Sequence, residues 1–498
     1  MKSMGVIHME FISGEDRNQI TLMPDSIDDY VDDNNSVRVI EAYINSLNIA
    51  DLGFINPQPH DTGRPMYDPK DLLKLYVYGY MNRIRSSRRL ETETKRNLEV
   101  IWLLRRLSPD HKTIARFRHD NAAALKNVFR DFVKLCMRLN LYGKELVAID
   151  GSKFKAVNSK DHNFTDKKLQ ERIARIDAKI EEYLRELETG DAQENTVPGG
   201  KSSEEITRII NELAERKARY QSYADELAET GETQKSLTDP DSRLMMANGK
   251  LDVCYNVQTA VDAKNKLITE FEVTNSAVDV NQITPMAERA KEILGTDTIT
   301  AIVDAGYDSV QDIVAGTSQG VAIHVAGTDF DICVPADERE NTEITSHKDG
   351  RCVYFADRNI ALCPMGQVLH PGFYKKEKRH GVFYNYKVCK QCVCKCSKES
   401  RGRRYEVPMA ESDFSKLYDD KNLFVRQIRI SPDKELIKQR KSIVEHPFGT
   451  VKRNMDAGYC LTKGLRNVSG EFSLAFLAYN LKRAINILGI NKLIECMG

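Results

Sequence analysis

Apolar positions recur at helical spacing over the early part of the chain. From Leu72 to about Leu141 they fall every three or four places with few glycines, which predicts a run of short helices. Between 166 and 229 the rhythm becomes a seam. Leu169, Ile173, Ile176, Ile180, Tyr183 and Leu187 step by fours and threes, and Ile206, Ile210, Leu213, Lys217, Tyr220, Ala224 and Leu227 resume the pattern. The gap between these stretches holds Gly190, Pro198, Gly199 and Gly200, and Ser202 with Glu205 has the spacing of a capping box. An antiparallel helical hairpin is expected. Strand signals surround it. Leu146–Ile149 is a continuous apolar run, Leu251–Asp262 alternates, Ala263–Lys266 turns and Leu267–Thr274 runs back. A helix over Gln282–Leu294, a strand at Ile299–Val303, a helix near Ser309–Val314, a strand at Val321–Val325 and an apolar helix over Ser473–Leu488 complete the expectation. This order is mixed, and the fold class it predicts is α+β with several domains.

Length supports that division, because 498 residues exceed what one ordinary core holds, and two to four domains are expected. With 29% charged and 41% apolar residues the chain reads as globular rather than disordered. Lys+Arg and Asp+Glu are equal at 73 each, so any nucleic-acid role must lie on a local basic face. One such region exists: from Lys74 to Arg118 there are 12 Lys/Arg against 4 Asp/Glu. Arg88, Arg89, Lys112, Arg116 and Arg118 are its candidate phosphate contacts, in short helices that suit a helix-turn-helix arrangement. Most basic runs are simply solvated faces, and DNA is favoured here because nuclease-like chemistry follows. The acidic patch from Asp25 to Asp33 reads as a solvated helix start. No apolar run approaches the roughly 20 residues of a membrane span. With no signal-peptide core, a cytoplasmic protein is expected, nucleoid-associated when DNA-bound. The phosphate loop of an ATP-driven enzyme is absent.

The chemistry rests on three acids. Asp150 and Asp304 each end an apolar run, 154 residues apart, and Glu445 lies 141 residues further on in a basic helical pattern, Gln439–Lys452. Taken singly they have plain readings: Asp150-Gly151 as a turn, Asp304 as a helix cap, Glu445 as a solvated helix residue. Asp239, Asp241, Asp252, Asp262 and Asp279 compete with them. Two strand-end aspartates and a helix-borne glutamate are nevertheless an oxygen-donor set suited to two Mg²⁺ or Mn²⁺ ions, which together clamp the attacking and leaving oxygens of a phosphodiester.

The segments Ala148–Lys153, Val303–Tyr307 and Val444–Gly449 resemble the three catalytic blocks of bacterial insertion-sequence DDE transposases. Asp239–Arg243, Tyr255–Asp262, Leu477–Arg483 and the stretch ending Asp110–Arg118 are similar to other parts of that family, so the resemblance spans roughly residues 60–490. It implies an RNase H-like catalytic sheet with flanking helices, an all-α N-terminal DNA-binding domain, two Mg²⁺ ions and cleavage at terminal inverted repeats with transfer into target DNA. It also implies work as a homodimer or larger assembly on double-stranded DNA. Asp150, Asp304 and Glu445 become the expected metal ligands. Some members carry an Arg and a Lys flanking the Glu to hold phosphates. Lys452 takes one place, and Arg440 and Lys441 compete for the other. Pro447 is expected to kink or restart the helix. The expected organisation is 1–140 DNA-binding, 141–165, 236–330 and 431–498 as three parts of the core, 166–235 the hairpin insertion and 331–430 a Cys-rich insertion.

The chain has 11 cysteines, of which Cys389-Lys390-Gln391-Cys392 forms a CxxC knuckle. Cys363, Cys389, Cys392 and Cys396 are the first choice for a structural Zn²⁺ site, with Cys352 and Cys394 as spares. Cysteines 136, 254, 333, 460 and 496 read as core fillers, in a reduced protein. The H-x-x-R element of tyrosine recombinases and the paired histidines of HUH nucleases are absent. Two rival readings remain: a catalytically silent transposase-derived DNA-binding regulator, and a scaffold built on the hairpin and the zinc module.

Overall fold

The structure is a computed structural model that describes residues 26–55, 66–192, 202–247, 249–307, 312, 315–316, 319–325, 353–355, 360–363, 368–386, 389, 404–414 and 434–497. It is α+β, with a helical N-terminal region and a mixed sheet. The N-terminal helices are α1 (Ser36–Ser46), α2 (Pro69–Met81), α3 (Ser87–Arg96), α4 (Leu98–Leu103), α5 (His111–Asp120) and α6 (Ala122–Arg138). Their starts are set by side-chain caps. Asn35 accepts from the Val37 N–H, Asp68 from the Lys70 N–H with Pro69 in the first turn, and Asp110 from the N–H groups of Lys112 and Thr113. Every residue of α2 from Asp71 to Met81 is buried, which makes it the central helix of this group.

The main sheet contains β1 (Leu146–Lys155), β4 (Arg243–Ala247), β5 (Lys250–Asp262), β6 (Ile268–Thr274), β7 (Ile299–Val303) and β8 (Val321–Val325), with β2 (Asn163–Thr165) and β3 (Gln234–Ser236) forming a small separate ladder. β5 pairs antiparallel with β1, β4 and β6, while β1–β7 and β7–β8 are parallel. The helix α9 (Ile283–Leu294) packs across β5, β6 and β7. A 24-residue C-terminal helix, Leu465–Leu488, packs on α2, α6 and β6. From it Asn480 both donates to and accepts from the backbone of Ile268, at 2.8 and 2.9 Å, and so pairs the polar groups of β6. One apolar core runs through the N-terminal helices, the main sheet, α9 and the C-terminal helices, from Val31 to Leu493.

The helices α7 (Asp166–Ala192) and α8 (Ser203–Thr230) pack together as the expected hairpin. Leu169, Ile173, Ile176, Ile206, Ala224 and Leu227 of the seam are buried, Ser202 accepts from the Glu205 N–H, and Lys217 answers Asp177 across the pair at 2.6 Å. The Cys-rich stretch includes a second, five-stranded sheet around Ala361, Leu369, Phe383, Val407 and Phe414. Among the described residues no helix is long and apolar enough to cross a membrane.

Three expectations need correction. Asp150 does not end its strand: β1 continues to Lys155, because Gly151–Lys155 pair with Cys254–Gln258 of β5. Pro447 does not restart its helix, which runs through it from Lys434 to Gly449 and widens into a π-helical turn at Thr450–Asn454. The C-terminal helix begins at Leu465, ahead of Ser473. Its first turns are polar, and Gly470 serves close packing, since a Cβ there would sit 2.8 Å from the Ala122 Cα.

Candidate active site

The parallel pairing of Ala148 with Ile302 sets the site, because two residues further along both strands it brings Asp150 level with Asp304. Both carboxylates face one guanidinium. Arg440, on the Lys434–Gly449 helix, lies 3.6 Å from Asp150 Oδ2 and 3.7 Å from Asp304 Oδ2. The Arg440 side chain is 11% exposed, and its buried Nη1 has no hydrogen-bond partner. Each aspartate also accepts the N–H that follows it, Gly151 at 2.9 Å and Ala305 at 2.7 Å. Burial pushes the Asp150 carboxyl up to about 6; Arg440 and the Gly151 N–H oppose this, and Asp304 and Asp279 reinforce it.

Lys452 reaches the same strand from the π-helical turn. Its ammonium donates to Ser152 Oγ at 2.6 Å and to the Lys153 carbonyl at 3.1 Å, and it lies 4.3 Å from the centre of the Phe154 ring. Burial holds its pKa below the usual lysine range. Glu445 is placed differently. Five residues after Arg440 it lies about 140° further round an α-helix, and it is exposed, as is Lys441. The structure therefore brings together Asp150, Asp304, Arg440 and Lys452 and leaves Glu445 on the outer side of their helix. Among the described residues no group of three or more His, Cys, Asp or Glu is close enough to hold a metal ion.

Four of the five competing acids have structural duties. Asp239 accepts from Tyr255 OH and the Gly464 N–H, and Asp241 from the Leu465 N–H, so the Asp239-Pro240-Asp241 stretch caps the C-terminal helix. Asp262 accepts the N–H groups of Gly143, Lys144 and Lys264, and Asp252 pairs with Lys155 at 3.7 Å. Asp279 stands beside Asp150: its Oδ1 accepts from Lys153, Asn256 and Gln258 at 2.9, 2.7 and 2.8 Å. Gly151 makes room for that group. A Cβ on it would collide with the Gln258 amide and come 2.7 Å from Asp279 Oδ1, so this glycine serves close approach within a strand rather than a turn. Sequence reading gave Gln258 and Tyr307 no role. A Gln in an alternating strand and a Tyr after a candidate acid carry no signal of their own.

Among the basic candidates, Arg88, Arg89, Lys112 and Arg116 are exposed on α3 and α5, which pack on each other. Arg116 faces Asp120 at 3.4 Å. Arg118 departs from expectation. It is buried, stacked over Tyr76 and donating to Tyr80 OH, because the helix spacing that follows Ile114 turns it into the core. The nearby Arg83 and Arg85 are braces: Arg83 donates to the Asn454 carbonyl, and Arg85 to the carbonyls of Asp456 and Tyr459 and to Glu471.

Of the zinc candidates, Cys363 is buried in the small sheet's apolar cluster and Cys389 is half-buried. Cys392 and Cys396, with the spares Cys352 and Cys394, lie outside the described residues, as does Cys333. Cys136, Cys254 and Cys460 are core fillers as expected, whereas Cys496 is exposed at the end of the short C-terminal helix Ile490–Glu495.

Residues 25–120 match the family model of a transposase domain (DUF772), and residues 362–485 match that of a transposase DDE domain. No curated protein and no solved structure matches the chain. The first match covers the basic helices and the second covers Glu445 and Lys452, with Asp150 on β1 and Asp304 just after β7 between them. Both matches are to transposase domains, and together they support a DDE transposase of an insertion sequence.

Proposed function

We propose that this transposase cuts DNA at the inverted repeats ending its element and joins the freed ends to target DNA, using divalent metal ions held by Asp150, Asp304 and Glu445. The observation that carries the reading is the pair of aspartates, Asp150 within β1 and Asp304 just after the adjacent parallel β7, both turned toward one buried cation. That donor set fits Mg²⁺ or Mn²⁺, which take one or two carboxylates and fill the remaining positions with water and substrate phosphate. Bound there, two ions would activate the attacking oxygen and stabilise the departing 3′ oxygen.

The protein's own groups have separable tasks. Arg440 neutralises both carboxylates, with Nη1 toward Asp150 and Nη2 toward Asp304. Lys452, fixed against β1, adds positive charge beside Asp150. Glu445 comes from the same helix. Because it and Arg440 point about 140° apart, its entry requires Arg440 to withdraw or the helix to turn. Arg88, Arg89, Lys112, Arg116 and Lys441 are exposed and suit phosphate contacts. The path β6-β5-β1-β7-β8 through the sheet, antiparallel as far as β1 and parallel beyond it, supports an RNase H-like core. A dimer or larger assembly on DNA belongs to the same reading, as does a structural Zn²⁺ on Cys363, Cys389, Cys392 and Cys396, which rests on cysteine spacing.

The test is strand cleavage of DNA carrying the gene's own flanking ends, with Mg²⁺ or Mn²⁺, by the wild type and Asp304→Ala. Nicking by the wild type alone is expected. Binding without nicking at any metal concentration would instead identify a silent DNA-binding regulator. In the same assay Gly151→Ala should lose at least about tenfold in rate, equivalent to about 1.4 kcal/mol, because the added methyl displaces Gln258 and Asp279. An unchanged rate would show that the polar group behind Asp150 has no bearing on cleavage.

A further inference from the structure

Gln258 lies directly across from Gly151 on β5 and is fully buried. Its amide Nε2 donates to Asp279 Oδ1 at 2.8 Å, and its Oε1 accepts from the hydroxyl of Tyr307. Asp279 is an acceptor when ionised, so the amide has one orientation, NH₂ toward Asp279 and oxygen toward Tyr307. Tyr307 is itself buried and ends the short 3₁₀ turn, Ala305–Tyr307, that begins after Asp304. Its N–H closes that turn on the Asp304 carbonyl at 3.0 Å. Lys153 and Asn256 complete the hold on Asp279 Oδ1, and Asn256 also donates to the Ser276 carbonyl. A continuous polar chain therefore runs from the strand of Asp150, through Gln258, to the turn that carries Asp304.

We infer that Gln258, with Asp279 and Tyr307, is a positioning clamp that fixes the Asp304 turn relative to the Asp150 strand and so sets the separation of the two carboxylates. β1 and β7 are paired through Leu146–Ala148 against Thr300–Ile302, and that pairing stops short of both aspartates. Beyond it, this clamp and the shared Arg440 both link the two sides. With Asp150 and Asp304 holding an ion in place of their contacts to Arg440, the clamp would carry their spacing. The inference rests on the metal-dependent reading of the site.

Its test uses the DNA-free full-length protein and Mn²⁺, with free ion measured by electron paramagnetic resonance. Tyr307→Phe removes one hydroxyl, and Gln258→Met removes both amide bonds at similar size. Each should weaken Mn²⁺ binding at least tenfold while thermal unfolding stays cooperative. Nicking by Tyr307→Phe should need correspondingly more Mn²⁺ for half-saturation and recover near wild-type rate when saturated. A purely structural role would lower the melting temperature and leave the metal affinity of the folded fraction unchanged, which overturns the inference. Asp304→Ala is the control. If it binds Mn²⁺ as the wild type does, the metal reading falls and the clamp with it. If it loses binding while Tyr307→Phe and Gln258→Met keep wild-type affinity, the clamp alone is refuted.

Discussion

Asp150→Asn should abolish nicking and at the same time make the metal-free protein more stable at pH 7. The loss of nicking follows from replacing a charged oxygen donor with a neutral amide at the centre of the site. The gain in stability follows from burial, which raises the Asp150 pKa from its ordinary 3.8 to about 6. Between those values the folded protein retains a proton that the unfolded chain has released, so stability falls as pH rises through that window. Above about 6 the full cost of an ionised, buried Asp150 is present. Two pKa units correspond to at most about 3 kcal/mol. Asn carries no such cost. Melting temperatures in EDTA should therefore diverge between the two proteins from pH 4 to pH 7, with the variant higher, and added Mg²⁺ should narrow the gap by favouring the ionised wild type. A gap independent of pH would show that Asp150 is not held in a desolvated state.

Glu471→Ala should be among the most destabilising single substitutions in the chain. Arg85 and Glu471 are 2.6 Å apart, with side chains 4% and 3% exposed. Glu471 also accepts the N–H groups of Leu461 and Thr462 and the Thr462 hydroxyl. Truncating it leaves a buried guanidinium without its counter-charge and strips several donors, a loss of about 3–5 kcal/mol. Urea unfolding measures it. A change under about 1 kcal/mol would mean that water replaces the carboxylate. Glu471→Gln should fall between, since its oxygen still accepts. The damage should extend to the site, because Arg85 also holds the carbonyls of Asp456 and Tyr459 just after Lys452.

Periodicity was a reliable guide where one physical cause set the pattern. The hairpin seam, the β5–β6 turn and the helix after Gln282 followed from spacing alone, and the Ser202 cap followed from two residues. Asp150-Gly151 misled because glycine has two uses. Here it admits Gln258 and Asp279 within a strand, and only the partner strand reveals that. Arg118 misled for a related reason: a charged residue in a basic run is buried when aromatic rings such as Tyr76 and Tyr80 receive it. The roles of Asp239, Asp241 and Asp262 depend on backbone N–H groups at distant positions, which carry no mark in the sequence. Resemblance named Asp304, Lys452 and Arg440 as candidates, but it did not foresee Arg440 between the aspartates, since that contact depends on which way one helix faces.

The two matched transposase domains are separate in sequence, yet they share one interior. Helices α2 and α6 lean on the Leu465–Leu488 helix, and Arg83 and Arg85 hold backbone more than 370 residues away. Such a chain does not divide into interchangeable parts. A shortened product that kept the basic helices but lost the C-terminal helix would expose the faces of α2 and α6 that now have a wall, and it would aggregate rather than survive as a compact repressor of its own element. Exchanging the N-terminal region for another DNA-reading module would fail for the same reason unless the new module rebuilt that wall. Copies truncated ahead of the C-terminal helix should therefore lose the proposed DNA binding and the proposed cutting together.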